Sequence, residues 1–484
     1  MTNMKKTVLA YLTSCAMLLG STTSYANTDL PDLGTAASNT FSIDKELKYG
    51  DAYMRVIRST APIVSDPVLN QYVSELGNKL VAHAHDVKTP FEFFLIRNNV
   101  INAFAFFGGH VGIHTGLLLK ADNESELASV LGHEITHVTQ RHLARSIEAQ
   151  KKATPATLVG TLGAILLTIA APQAGIAALA TTTAIATQSR INYTRTHEKE
   201  ADRIGMQVLV DSGFDPNASA TFFGKLAAQY RFTTKPPQML LTHPLSESRI
   251  SEARNRAAQY PHRFIPDNLD FQLAKARIQV RFSGQPAKSA LDLYQKQLER
   301  NTFAFKESAL YGKALALFEL EKYREADKII TALRAKDADN LFYIDTKTDI
   351  LLAEYKTDQA INLLKQQHKL KPTSQVININ LANAYLWIKQ PQKAVPLLED
   401  AIFYNKENTV AYELLLTAYE NMHNFALTYY TRAELLALHA DYKGAIDQLN
   451  YAYQSSVDQP LQLARITARI RQFKIADKEL RSLK

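Results

Sequence analysis

The sequence predicts a mainly α-helical protein with a small β-sheet: an N-terminal α+β domain followed by an all-α solenoid. Three observations predict it. Two aromatic-rich runs, PFEFFLIRN at 90–98 and NAFAFFGGHVGIHTGLL at 102–118, read as strands. VLGHEITHVTQRH at 130–142 reads as a helix loaded with histidine. Beyond residue 268 the texture becomes helix after helix, and Ala326, Ala360 and Ala394 recur every 34 residues. A chain of 484 residues is also too long for one core. The division expected is 1–26, 27–265 and 268–484.

The first 26 residues read as a cleavable secretory signal: Lys5 and Lys6, an apolar stretch to Gly20, and a small-x-small site at Ser24-Tyr25-Ala26. The single cysteine, Cys15, lies inside it. Apolar residues continue past Cys15, which argues against a lipid anchor. The mature chain then has neither a disulfide nor a thiolate metal site, so any metal must rest on His, Asp and Glu. A net charge of +8 falls by two when Lys5 and Lys6 are removed, and no basic-aromatic patch points to nucleic acid.

Residues 27–40 read as a flexible lead-in. Tyr72, Leu76 and Leu80 mark a helical stripe within 42–85, interrupted at Pro62 and Pro67. The two strand runs follow, separated at Asn98-Asn99. Asn123 and Glu126 stand in capping-box order ahead of the histidine helix. From 153 to 189 no residue is charged, but prolines and glycines break the stretch into halves too short to span a membrane. A lid-like helical hairpin is expected there, with peripheral membrane contact as the alternative. The 34-residue period is that of tetratricopeptide repeats, with Ala290 and Ala445 as less regular members.

On a helix, His133 and His137 lie one turn apart and can share one ion, while Glu134 can hold a water beside it. Zinc would bring that water's pKa to about 7, and the glutamate would take its proton and pass it to a leaving amine. HExxH alone is too short to decide. The third ligand is sought in THEKEADRIG: Glu198, Ala201, Asp202 and Gly205 share a face with small residues, whereas Glu200, Arg203 and Gln207 form a solvated one. Glu198 is therefore the expected ligand, Asp202 a partner for a ligand histidine, and His197 the alternative. His142, five residues past His137, is placed on the surface.

HEITH, Glu198-x-x-x-Asp202 and HPLSESR together resemble the HtpX/Ste24-like family of membrane-associated zinc metallopeptidases, gluzincins of the HExxH type. That resemblance implies a zincin-like N-terminal domain with one Zn2+ held by His133, His137 and Glu198, and Glu134 as general base. His243 would steady an oxyanion or occupy the fourth zinc position in a resting form, and Arg249 would pair with Asp202 or with substrate. The segment Asn102 to His114 would border the cleft and accept substrate as an added strand, with Gly108 and Gly109 admitting a second backbone. His110 and His114 are read as surface residues. Also implied are a periplasmic location, peripheral to the outer membrane, and endopeptidase action on misfolded or stalled outer-membrane proteins. The repeats would recruit substrate or the assembly machinery. The rival reading is a chaperone or adaptor acting through the repeats, with a latent or structural zinc; Glu134, which a structural site does not need, argues for catalysis.

Overall fold

The computed structural model describes residues 41–149, 195–230, 238–261 and 265–482. The expected signal, the lead-in and the uncharged hairpin lie outside them.

Ser42 caps α1 (Ile43–Thr60), which buries Tyr53, Met54 and Ile57. Asp66 caps α2 (Pro67–Val81), with proline in its first turn and Tyr72, Leu76 and Leu80 on its buried face. Three strands follow, β1 (Glu92–Ile96), β2 (Ala103–Phe106) and β3 (His110–His114), in the order β1-β3-β2. β1 runs parallel to β3 and β2 antiparallel to it. The sequence reading made 102–114 one strand. Gly108 (φ 78°) and Gly109 (φ 86°) instead fold it back on itself, in a conformation costly to any other residue.

After α3 (Thr115–Lys120) comes α4 (Glu124–Thr139), the central helix, buried on almost every side. Asn123 Oδ1 accepts from Glu126 N at 3.0 Å as expected, while the Glu126 carboxylate reaches Asp122 N rather than returning to Asn123. α4 stops at Gln140-Arg141, where Arg141 takes φ 51°, and α5 (His142–Ala149) starts on a new axis. α6 (Arg195–Asp211), α7 (Ala218–Tyr230), α8 (Gln238–Thr242) and α9 (Glu247–Ala257) complete the first domain.

The solenoid runs through α10 (Leu269–Arg281), α11 (Ala287–Arg300), α12 (Lys306–Glu319), α13 (Tyr323–Arg334), α14 (Leu341–Ala353) and α15 (Thr357–Leu370). It continues as α16 (Gln375–Trp387), α17 (Pro391–Tyr404), α18 (Thr409–Asn421), α19 (Phe425–Leu438), α20 (Tyr442–Gln454) and α21 (Pro460–Ser482). Ala290, Ala326, Ala360, Ala394 and Ala445 are all completely buried, each the fourth residue of its helix. The tight turns repeat with them: Glu321, Tyr355, Lys389 and His423 sit at φ 54–59°, 34 residues apart, and Ala440 follows half a repeat later. That half-step explains why Ala445 falls off the period.

The two domains share a core. One apolar cluster includes Leu69, Leu95 and Leu127 as well as Phe271, Tyr311 and Val376. Within this junction Arg277 is buried between Asp66 and Asp345, at 2.7 Å from each. A second junction joins Arg58 to Glu92 at 3.0 Å and to Glu407, and Arg55 donates to Ala437 O at 2.8 Å. A cavity of about 1530 Å³ lies between the first domain and the solenoid. Among the described residues, no helix is long and apolar enough to cross a membrane.

Candidate metal centre

α4 and α6 cross at two glycines. A Cβ on Gly205 would lie 3.0 Å from the Gly132 carbonyl, so the backbones touch where the two donor-bearing faces meet. Ala201 is fully buried beside this contact, as the small-residue face of α6 requires. The crossing brings Glu198 to the pair on α4. His133 Nε2 and His137 Nε2 are 3.0 Å apart, and the Glu198 oxygens lie 3.4 Å from the first and 3.5 Å from the second. His243, after α8, adds its Nδ1 at 3.4 Å from His133 Nε2 and 3.1 Å from Glu198.

The donor atoms of His133, His137, Glu198 and His243 all fall within 4.8 Å of one another, and all four residues are buried. Two atoms bound tetrahedrally at zinc distances stand about 3.3 Å apart, so the set fits Zn2+. Beside it, Glu134 is fully buried, and neither carboxylate oxygen has a hydrogen-bond partner among the described residues. The Nε2 of His243 is 3.5 Å from Glu134. A buried acid left bare next to converging donors is the arrangement that would meet a water and a carbonyl group.

The outer contacts are as specific. Asp202 faces His133 Nδ1 at 3.0 Å, as the helical phase predicts. Arg249 grips Asp202 with two nitrogens at 2.6 and 2.7 Å, and reaches Glu198 at 2.8 Å and the Pro244 carbonyl at 2.8 Å. Of the two roles left open for Arg249, the pair with Asp202 is the one seen. Burial opposes a charge on His133, but the Asp202 and Glu198 carboxylates outweigh it and raise its pKa to about 10. Burial would raise the Glu198 pKa, yet His243 and His133 hold it well below the usual range. Burial, then the neighbouring His133, pushes His137 well below 6.5.

Several placements differ from expectation. His142 is not on the surface: it is fully buried, its Nδ1 2.9 Å from His137 Nδ1 and its Nε2 3.2 Å from Glu200. The phase argument assumed one continuous helix, and the break at Arg141 swings His142 back. Glu200, assigned to a solvated face, is half-buried and also accepts from Arg145 at 3.1 Å. His197 stacks on His142, ring centres 4.4 Å apart, and is not among the converging donors. Burial and the adjacent His197 lower the His142 pKa to about 4.

His110 and His114 are likewise buried. His110 pairs with Glu92 at 3.0 Å and Asp51 at 3.6 Å and stacks on Phe106, while His114 meets the Phe104 ring edge-on. Gly108 and Gly109 do admit a close backbone, but it is the chain's own: a Cβ on Gly109 would strike the Pro90 carbonyl. Asn102 is buried and extends the ladder through His114 N at 3.0 Å. The outer edge of β2 accepts no backbone hydrogen bond among the described residues. Ladder alternation points the polar groups of Ala103 and Ala105 that way.

Comparison with known proteins agrees with this geometry. Residues 67–257 match the model of peptidase family M48, and 351–419 that of a tetratricopeptide repeat. The chain is 47% identical over 445 residues to a beta-barrel assembly-enhancing protease of Escherichia coli, covering 92% of this chain and 91% of that one. It is 45% identical over 455 residues to a putative beta-barrel assembly-enhancing protease of Vibrio cholerae, covering 94% of each. A mitochondrial metalloendopeptidase, OMA1 of Bos taurus, matches at 33% over 181 residues, 35% of this chain and 31% of its own.

Proposed function

The chain belongs to peptidase family M48, and from that premise we propose a periplasmic zinc endopeptidase that removes misfolded or stalled outer-membrane proteins and aids the assembly of others. One observation carries the reading: the buried Glu134 carboxylate, without a hydrogen-bond partner among the described residues, beside four converging donors. His133, His137 and Glu198 would hold the metal. Zinc, when bound, supplies Lewis acidity that polarises a peptide carbonyl and acidifies water.

The side chains account for the rest. Glu134 takes the water proton and returns it to the leaving nitrogen. Asp202 fixes the ring of His133, and Arg249 anchors Asp202 and Glu198 as a positioning residue. The outer edge of β2, at Ala103 and Ala105, is buried in this conformation and, once uncovered, would receive substrate as an antiparallel strand. Four protein donors are the mark of a closed zinc site, whereas a catalytic one keeps a position open. We read this conformation as resting, with His243 withdrawing for catalysis. The solenoid and its cavity offer a docking surface for assembly partners or unfolded chains.

The test is cleavage of an unfolded outer-membrane protein by zinc-loaded mature chain, beside Glu134→Gln carrying the same zinc. Cleavage by the first alone supports the reading. If both are inert while the chain still speeds barrel assembly, the adaptor reading takes its place.

A further inference from the structure

We propose that His142 is a positioning residue that fixes the tautomer of the metal ligand His137, in a directed chain running His137–His142–Glu200–Arg145. The inference rests on the reading of the His133 cluster as a metal centre and goes beyond it in naming what holds the second histidine.

The direction of the chain is fixed from both ends. His137 turns Nε2 toward the cluster, 3.0 Å from His133 Nε2 and 3.5 Å from Glu198, so that nitrogen presents its lone pair when the centre holds its metal. The ring proton of His137 is therefore on Nδ1, and Nδ1 lies 2.9 Å from His142 Nδ1. A donor must meet an acceptor, so His142 Nδ1 carries the lone pair and its proton sits on Nε2. At the far end, Glu200 Oε2 is 3.2 Å from that Nε2 and, as a carboxylate, can only accept. Arg145, 3.1 Å away, holds Glu200 ionised and in place. Each end alone assigns His142 the same tautomer.

The other ligand histidine has a conventional arrangement, with Asp202 on its second nitrogen. His137 has a neutral imidazole in that position and the carboxylate one step further out. The bland alternative is that His142 only fills buried space by stacking on His197.

Two measurements on the full mature chain separate these. In zinc-loaded protein labelled with ¹⁵N-histidine, long-range ¹H–¹⁵N spectra should show His142 neutral with its proton on Nε2, assigned by its loss in His142→Asn. A proton on Nδ1 overturns the proposal. By chelator competition, His142→Phe should bind zinc about 10- to 100-fold more weakly. His142→Asn, whose carboxamide oxygen can accept from His137, should stay within a few-fold of wild type. Equal affinity for Phe and wild type, or an equal loss for Phe and Asn, overturns it. Wild type that holds no zinc would sink the metal reading itself, a result distinct from a wrong tautomer or unchanged affinity in zinc-loaded protein.

Discussion

Two of the clusters of charged side chains buried among the described residues are built to opposite plans. Around Arg277 each charge has its counterpart: Asp66 on one side, Asp345 on the other, and the Tyr311 hydroxyl oxygen accepting at 3.0 Å. Around His133 four lone-pair donors converge, and the neighbouring acid Glu134 has no hydrogen-bond partner among the described residues, with His243 Nε2 3.5 Å away. Burial without a partner is costly, so an arrangement of this kind persists where a ligand completes it. The first cluster joins two domains. The second has the form of a site awaiting an ion and a substrate.

The largest expected effects test that contrast directly. Glu134→Gln should lower peptide hydrolysis by about 10²- to 10⁴-fold while leaving zinc content and melting temperature unchanged. Arg277→Met should do the reverse. Two carboxylates would be stranded in the core, at about 3–5 kcal/mol in denaturant unfolding, with zinc affinity retained in the folded fraction. A stability loss from the first or a normal melt from the second would erase the distinction.

Next in size is His243. Its Nδ1 stands among the converging donors, and its Nε2 faces Glu134. His243→Ala should raise the basal cleavage rate, on the order of ten-fold if the closed form outweighs the open one by a little over 1 kcal/mol. A fall in turnover with unchanged KM would instead give His243 the oxyanion role.

The two domains also differ in what their tightest helix contacts do. Gly205 against Gly132 sets the distance between the two donor-bearing helices, whereas Ala360 sets a purely structural spacing in the solenoid. Gly205→Ala and Ala360→Leu should each cost about 1–3 kcal/mol by overpacking. Only the first should weaken zinc binding, as read by chelator competition. Equal zinc affinity in both would mean that the donors tolerate a shift of α6.

Legibility in the sequence follows the same line between local and distant. The pair His133 and His137, the cap at Asn123 and the alanine period are set within one helix or one repeat, and all are readable. Glu198 was within reach because Ala201 and Gly205 mark which face of its helix can come close. His142 was missed because its position depends on where α4 ends, and Arg141 at φ 51° carries no strong sequence signal. His110 was misplaced because its partners Asp51 and Glu92 come from separate elements. The bond from Arg58 to Glu407 spans 349 residues, and no local pattern announces it. The 34-residue rule likewise could not foresee the half-step at Ala440, a choice made by helix packing rather than by composition.

The second junction supplies the smallest effect and a pH signature opposite in sign to that of the Arg277 cluster. Burial disfavours charge on His110, but Asp51 and Glu92 outweigh it and raise its pKa to about 9, above the unfolded value near 6.5. Its contribution to stability is therefore complete below about pH 6.5 and is lost as pH rises through 9. Burial would raise the Glu92 pKa, yet His110 and then Arg58 bring it down to about 2, so its share is lost only as pH falls through that value. The pair should stabilise most between about pH 4.5 and 6.5. Asp51 and Glu92 are partly exposed, so screening leaves on the order of 1 kcal/mol. Melting curves of wild type and His110→Gln should accordingly stand furthest apart in that window and converge toward pH 9. In Arg277→Met the gap from wild type should instead widen as pH rises through about 6, where Asp349, raised by burial and the adjoining Asp345, would ionise with one fewer cation to offset it. A parallel offset in both variants would make His110 a packing residue and leave the two junctions alike.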